Sequence, residues 1–131
     1  MKLAHIGIAV DNLDGAAKVF SEVLSAGPDH TADVPDQKIT ALFFQLESGG
    51  AIELLMPTDD GGPIKKFLDK RGPGIHHLAF LVKDIEAKLE DLKQKGYRLI
   101  DQTPRVGAGG KKIAFLHPSS TAGVLIELME E

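Results

Sequence analysis

The chain has 131 residues and no cysteine. That excludes disulfides and thiolate metal sites together, and leaves histidine, aspartate and glutamate as the strong ligand types. It also has no long hydrophobic run. The longest apolar stretches are strand-sized, whereas a bilayer span takes about 20 apolar residues, so no membrane helix is expected. Excess positive charge is missing as well: the net charge is −4 and the pI about 5.7, which gives nucleic acid no electrostatic footprint. The N-terminus enters a strand pattern at once and leaves no room for a secretory leader, so a cytoplasmic location is expected by default. Hydrophobic residues make up 43% and charged residues 26% of a chain long enough for one compact unit with a real core.

What the sequence does contain is a repeat, and a repeat governs the fold wherever one is found. The stretch GIHHLAFLVKDIEAKLEDLKQKG at 74–96 follows the type and order of HIGIAVDNLDGAAKVFSEVL, which begins at His5. Displaced by 72 residues, His5 falls on His77, Gly7 on Ala79, Val10 on Val82 and Leu13 on Ile85. Further along, AIELLM at 51–56 resembles LIELME at 125–130, with Glu53 falling on Glu127.

Each copy opens on an alternating strand. Residues 3–10 set His5, Gly7 and Ala9 against Ile6, Ile8 and Val10, and residues 75–82 set His77, Ala79 and Leu81 against Leu78, Phe80 and Val82. Asn12 or Asp14 can cap a helix over roughly 13–25 that Gly27-Pro28 stops, and Asp84 a helix to about 95 that Gly96 closes. Residues 28–37, polar and proline-containing, read as a loop. Residues 38–46 and 51–57 read as paired strands, and Pro63 opens a short helix in the linker. In the second copy YRLI, KKIAFLH and GVLIELM read as strands. The expected fold is α+β: two βαβββ modules, 1–57 and 74–131 with a linker at 58–73, forming a curved mixed sheet cup with helices outside.

Each glutamate sits mid-strand between apolar neighbours, Ile52 and Leu54 in one copy, Ile126 and Leu128 in the other. A carboxylate in such a place is costly unless paired or bound to a metal. A lone strand histidine or glutamate would read as a packed or edge residue; both types at equivalent places in both copies read as a site. Strand parity lets His5, Glu53, His77 and Glu127 face one cup. Two imidazoles and two carboxylates without thiols suit one divalent ion, Co, Zn, Ni or Mn, with positions left for substrate oxygens. His76 has the opposite parity to His77 and reads as surface or core packing, His30 lies in the loop, and His117 before Pro118 reads as a turn residue. The glycine-rich stretch RVGAGGKK offers two readings: an anion site using backbone amides with Arg105, Lys111 and Lys112, or a plain hairpin turn with solvated lysines.

The pieces HIGIAV, IELLMP, GIHHLAF, GAGGKKIAFLHP and GVLIELME resemble the vicinal oxygen chelate superfamily of glyoxalases, bleomycin resistance proteins and dioxygenases. Within it the closest likeness is to the methylmalonyl-CoA epimerases, and it covers nearly the whole chain. The resemblance implies that His5, Glu53, His77 and Glu127 hold the metal, the Glu53 position being glutamine in some relatives. It implies epimerisation of methylmalonyl-CoA at C2 through a metal-stabilised enolate, Glu127 as first candidate base, CoA phosphates meeting Arg105, Lys111 or Lys112, and a homodimer. Some relatives carry a glutamate in the middle strand of the first half; the matching ITALFF has none, which leaves the second base unassigned. Glyoxalase I, with a near-identical metal set, is the rival isomerase, but the arginines it is expected to use near the first strand and helix are absent between Leu3 and Leu24. A dioxygenase would keep three ligands, and a metal-free binding or resistance module need not keep both His/Glu pairs.

Overall fold

A computed structural model describes residues 1–131. In chain order the elements are β1 (Lys2–Ala9), α1 (Leu13–Leu24), β2 (His30–Val34), β3 (Ile39–Gln45), β4 (Ala51–Pro57), α2 (Pro63–Arg71), β5 (Gly74–Val82), α3 (Ile85–Gln94), β6 (Arg105–Val106), β7 (Lys112–Leu116) and β8 (Ile126–Glu130). Single 3₁₀ turns lie at Pro35–Gln37 and Pro118–Ser120. The βαβββ unit therefore occurs twice, with α2 between the copies. By packing, the chain divides within β1 into two compact units: Ile6–His76, and Met1–His5 with His77–Glu131.

In the unit Ile6–His76 the strands run β2-β3-β4-β1, with β2, β3 and β4 antiparallel. Alternation sends Val10, Leu42, Phe44 and Leu54 to one face, where α1 covers them with Leu13, Ala16, Ala17, Phe20 and Leu24. The opposite face collects Ala9, Ile39, Ala41 and Leu55 beneath Ile64, Phe67 and Leu68 of α2. Burying each large side chain of these layers is worth roughly 1.5–3 kcal/mol. Asn12 starts α1, its side chain accepting from the Gly15 N–H at 3.0 Å. The helix ends before the Gly27-Pro28 signal. Ser25 takes the left-handed conformation at φ 54°, and Ala26 N–H closes on Ser21 O at 3.1 Å.

Residues 30–34, expected as loop, form β2, which pairs with β3 from His30↔Phe43 to Val34↔Ile39. No apolar alternation marks it, because it is an edge strand held by the ladder and by polar side chains. Asp29 Oδ2 accepts from Gln45 N–H at 2.6 Å, and Thr40 Oγ1 donates to Asp33 at 2.9 Å.

In the other unit the strands run β1-β5-β8-β7-β6, with β5 and β8 parallel and the β8–β7 and β7–β6 pairs antiparallel. Val82, Ala114, Leu116 and Leu128 pack under Ile85 and Leu89 of α3, with Leu99 closing the layer. Asp84 caps α3 by accepting from Ala87 N–H at 3.0 Å, at the repeat-equivalent place of Asn12. The expected strand at 97–100 reduces to one bridge, Leu99↔Leu116. The ladder cannot continue because Ile100 and Asp101 both donate to the same carbonyl, Phe115 O, at 2.9 and 3.2 Å. The glycine-rich stretch is a tight hairpin between β6 and β7, closed by Gly107 N–H to Lys111 O at 2.8 Å and by Gly110 at φ 77°. A Cβ at Gly107 would stand 2.8 Å from Ile113 Cγ2, so the turn requires glycine there.

Candidate metal and active site

Alternation in β1 buries His5, Gly7 and Ala9, and in β5 it buries His77 and Ala79. Each histidine is thus followed on its own face by residues too small to cover it. Glu127 of β8 stands opposite Ala79 on one side and Phe115 on the other. His5, Glu53, His77 and Glu127 are 7%, 7%, 5% and 5% exposed, and they are the buried polar side chains of this chain.

His5, His77 and Glu127 come together. The two Nε2 atoms are 3.0 Å apart, with the rings edge to face at 5.1 Å. Glu127 brings Oε2 to 3.6 Å from His5 Nε2 and Oε1 to 3.7 Å from His77 Nε2. One ligand atom from each residue lies within 4.8 Å of the others. Atoms that share an ion at about 2 Å each stand about 3 to 4 Å from one another, so this donor set fits a divalent cation. Burial pushes the His5 imidazole down to about 4, which keeps it in the neutral form that a ligand nitrogen needs. Phe115 walls the cluster, its ring edge to face with His77 at 5.6 Å.

Glu53 lies in the unit Ile6–His76, on β4 opposite Phe43. Burial pushes its carboxyl up to about 7. A cation beside a carboxyl in that state would restore the ionised form.

The remaining histidines have packing or turn roles. His76 is half-buried, edge to face with Phe67 of α2 at 5.0 Å, and burial pushes it down to about 4. His30 is exposed and stacks on Phe43 at 4.2 Å. His117 Nδ1 accepts from Ser119 N–H at 3.0 Å and caps the 3₁₀ turn. Of the three basic residues, Arg105 lies over the Phe115 ring, its guanidinium carbon 5.5 Å from the centroid. Lys111 is exposed in the hairpin. Lys112 shares a face of β7 with Ala114 and Leu116, and its amine donates to Glu86 of α3 at 2.6 Å. Phe115 and Glu127 occupy the opposite face, so Lys112 is not brought to the cluster.

Two residues beside the cluster escape a reading by single elements: Phe115 and Asp101, which binds it. The signal for Phe115 was the repeat, since Phe43 falls on Phe115 at the displacement that superimposes the histidines, and each stands opposite its copy's glutamate. Asp101 carries no such mark.

Residues 4–115 match the family model described as Glyoxalase/Bleomycin resistance protein/Dioxygenase superfamily. The ethylmalonyl-CoA/methylmalonyl-CoA epimerase of Cereibacter sphaeroides is 40% identical over 97% of this chain and 96% of its own. The crystal structure of methylmalonyl-CoA epimerase from Mycobacterium tuberculosis superposes with a TM-score of 0.91 at 40% identity, covering 98% of this chain and 86% of that one. A methylmalonyl-CoA epimerase solved with methylmalonyl-CoA and NH4+ gives a TM-score of 0.89 at 34% identity, covering 99% and 94%. The chain has the glyoxalase-like α+β fold and belongs to the glyoxalase/bleomycin resistance protein/dioxygenase superfamily and, within it, to the methylmalonyl-CoA epimerases.

Proposed function

We propose that this chain epimerises methylmalonyl-CoA at C2 by removing and returning a proton through an enolate, with one divalent cation held by His5, Glu53, His77 and Glu127. The observation that carries the reading is the meeting of two buried imidazole nitrogens and a carboxylate within 4.8 Å in a chain of this family. Glu53 joins the set through the repeat, which gives each copy one strand histidine and one strand glutamate.

The proton at C2, between a thioester and a carboxylate, is acidic but not enough so at neutral pH. A divalent cation held by these residues would supply Lewis acidity that stabilises the enolate. His5 and His77 hold their Nε2 atoms toward that position from neighbouring strands. Glu127 is the candidate base, receiving the C2 proton at a carboxylate oxygen. The dry surroundings of Glu127 strengthen whatever charge it meets. The acyl-CoA bound to the epimerase cited above supports the substrate class for this chain.

The test is incubation of metal-loaded protein with methylmalonyl-CoA in D₂O. We expect deuterium at C2 and loss of stereochemical purity at the same rate. Metal-loaded protein that leaves C2 protonated but turns over the glutathione–methylglyoxal hemithioacetal would overturn the epimerase reading in favour of glyoxalase I.

A further inference from the structure

Phe115 is the wall of the histidine–glutamate cluster, and three contacts tie it to Asp101 and Arg105. Phe115 N–H donates to Asp101 Oδ2 at 2.8 Å, and Asp101 N–H returns a bond to Phe115 O at 3.2 Å. The other carboxylate oxygen of Asp101 accepts from Arg105 Nε at 3.2 Å. Arg105 then lies over the Phe115 ring, within cation–π reach at 5.5 Å. The same ring packs edge to face with His77, the centroids 5.6 Å apart. One carboxylate thus fixes both a guanidinium and the aromatic ring that packs on His77.

An ordinary surface ion pair does not look like this. The Asp101 side chain is 17% exposed, against 43% or more for the carboxylates of the lysine pairs, while Arg105 keeps 45%. The acid is spent on orientation inside, and the base stays open outside. With Nε held by Asp101, the terminal nitrogens of Arg105 carry the remaining donors, in the planar fork that matches an oxyanion. An acyl-CoA has oxyanions of two kinds, the carboxylate of its acyl group and the phosphates of CoA.

We propose that Asp101, Phe115 and Arg105 form one substrate-positioning unit at the rim of the cluster, in which Arg105 receives an oxyanion of the acyl-CoA and Asp101 holds Arg105 and Phe115 in register. Arg105 is the binding residue and Asp101 a positioning residue. The inference rests on the acyl-CoA reading above and deepens it.

The experiment measures epimerisation kinetics and calorimetric binding side by side for metal-loaded wild type, Arg105→Ala, Arg105→Lys, Asp101→Asn and Asp101→Ala, with metal content determined for each. We expect Arg105→Ala to raise KM and Kd for methylmalonyl-CoA about tenfold or more, with kcat within about threefold and metal content unchanged, the loss expected for a charge-assisted hydrogen bond. Arg105→Lys recovers part of the binding. Asp101→Asn, which keeps one acceptor oxygen, falls between wild type and Asp101→Ala. Two further ligands identify the oxyanion. If the loss in Arg105→Ala persists with propionyl-CoA, which lacks the carboxylate, Arg105 meets a phosphate. If it persists with the methylmalonyl thioester of pantetheine, which lacks the phosphates, Arg105 meets the acyl carboxylate. Active wild type whose KM and Kd move less than twofold in Arg105→Ala would overturn the positioning unit and leave the epimerase standing. Wild type that binds no acyl-CoA at all removes both.

Discussion

A pair of imidazole nitrogens 3.0 Å apart in a buried place forms either one N–H···N bond or two ligands to one ion. Glu127, within 3.7 Å of both, favours the second arrangement, because two imidazole nitrogens and a carboxylate brought this close together make a donor set suited to one cation. His77→Ala is therefore expected to reduce bound metal from one per chain to a small fraction, read by elemental analysis after dialysis, and to lower epimerisation more than about 100-fold, beyond what outer-shell changes cost. Glu127→Gln separates two duties of one side chain: the amide oxygen still ligates, but it cannot take a proton. Metal should remain bound while deuterium exchange at C2 falls about 10²- to 10⁴-fold, the range for losing a general base. Loss of metal and of exchange in equal measure would mean that Glu127 is a ligand only. All four proposed ligands were legible in the sequence, because a carboxylate flanked by aliphatic residues and a histidine with glycine or alanine two positions on recur at equivalent places. Asp101 was not, because its role comes from a backbone N–H of Phe115, 14 residues away, and a sequence does not announce which chain segments will touch.

At the scale of elements the two copies use the same devices. Asn12 and Asp84 cap α1 and α3 through the same bond, each to the N–H three residues on, at 3.0 Å. Asn12→Ala and Asp84→Ala should each cost about 1 kcal/mol, read as a lower urea midpoint at unchanged slope. A cost confined to one of them would show that the other helix is fixed by packing alone. The strands and helices with an apolar face, β1, α1, β3, β4, α2, β5, α3, β7 and β8, were readable from periodicity. Those without one were not. β2 is polar and is a strand because β3 offers it a ladder. Residues 97–100 have strand composition, yet two of their neighbouring N–H groups converge on Phe115 O and end the pairing after Leu99. Local pattern records burial, whereas edge pairing is decided by what lies alongside.

On the scale of the whole molecule, the unit that contains His5, His77 and Glu127 is discontinuous: Met1–His5 joins His77–Glu131 across 71 intervening residues, Ile6–His76. Closing a loop of that length costs chain entropy, which a five-residue segment offsets by strand pairing, by packing of Met1 and Lys2 beside Leu81, Val82 and Ala87, and by the site itself. The proposed ion, held jointly by His5, His77 and Glu127, would join the N-terminal segment to the rest of its unit, and the unfolded chain has no equivalent site. Binding to the native state alone stabilises it by about 2.7 kcal/mol when free metal exceeds the dissociation constant 100-fold. In a chain of this size that corresponds to a rise in Tm on the order of 10 °C. We expect scanning calorimetry to show this rise when metal is added to chelator-treated wild type. His5→Ala and His77→Ala should each abolish it, since either breaks the link between the two segments. Glu53→Gln should retain most of it, because an amide oxygen can still ligate. The comparison isolates the link from general ion effects: a metal-dependent rise that survives unchanged in His5→Ala would place the stabilising ion elsewhere, and the N-terminal segment would then owe its position to strand pairing and packing.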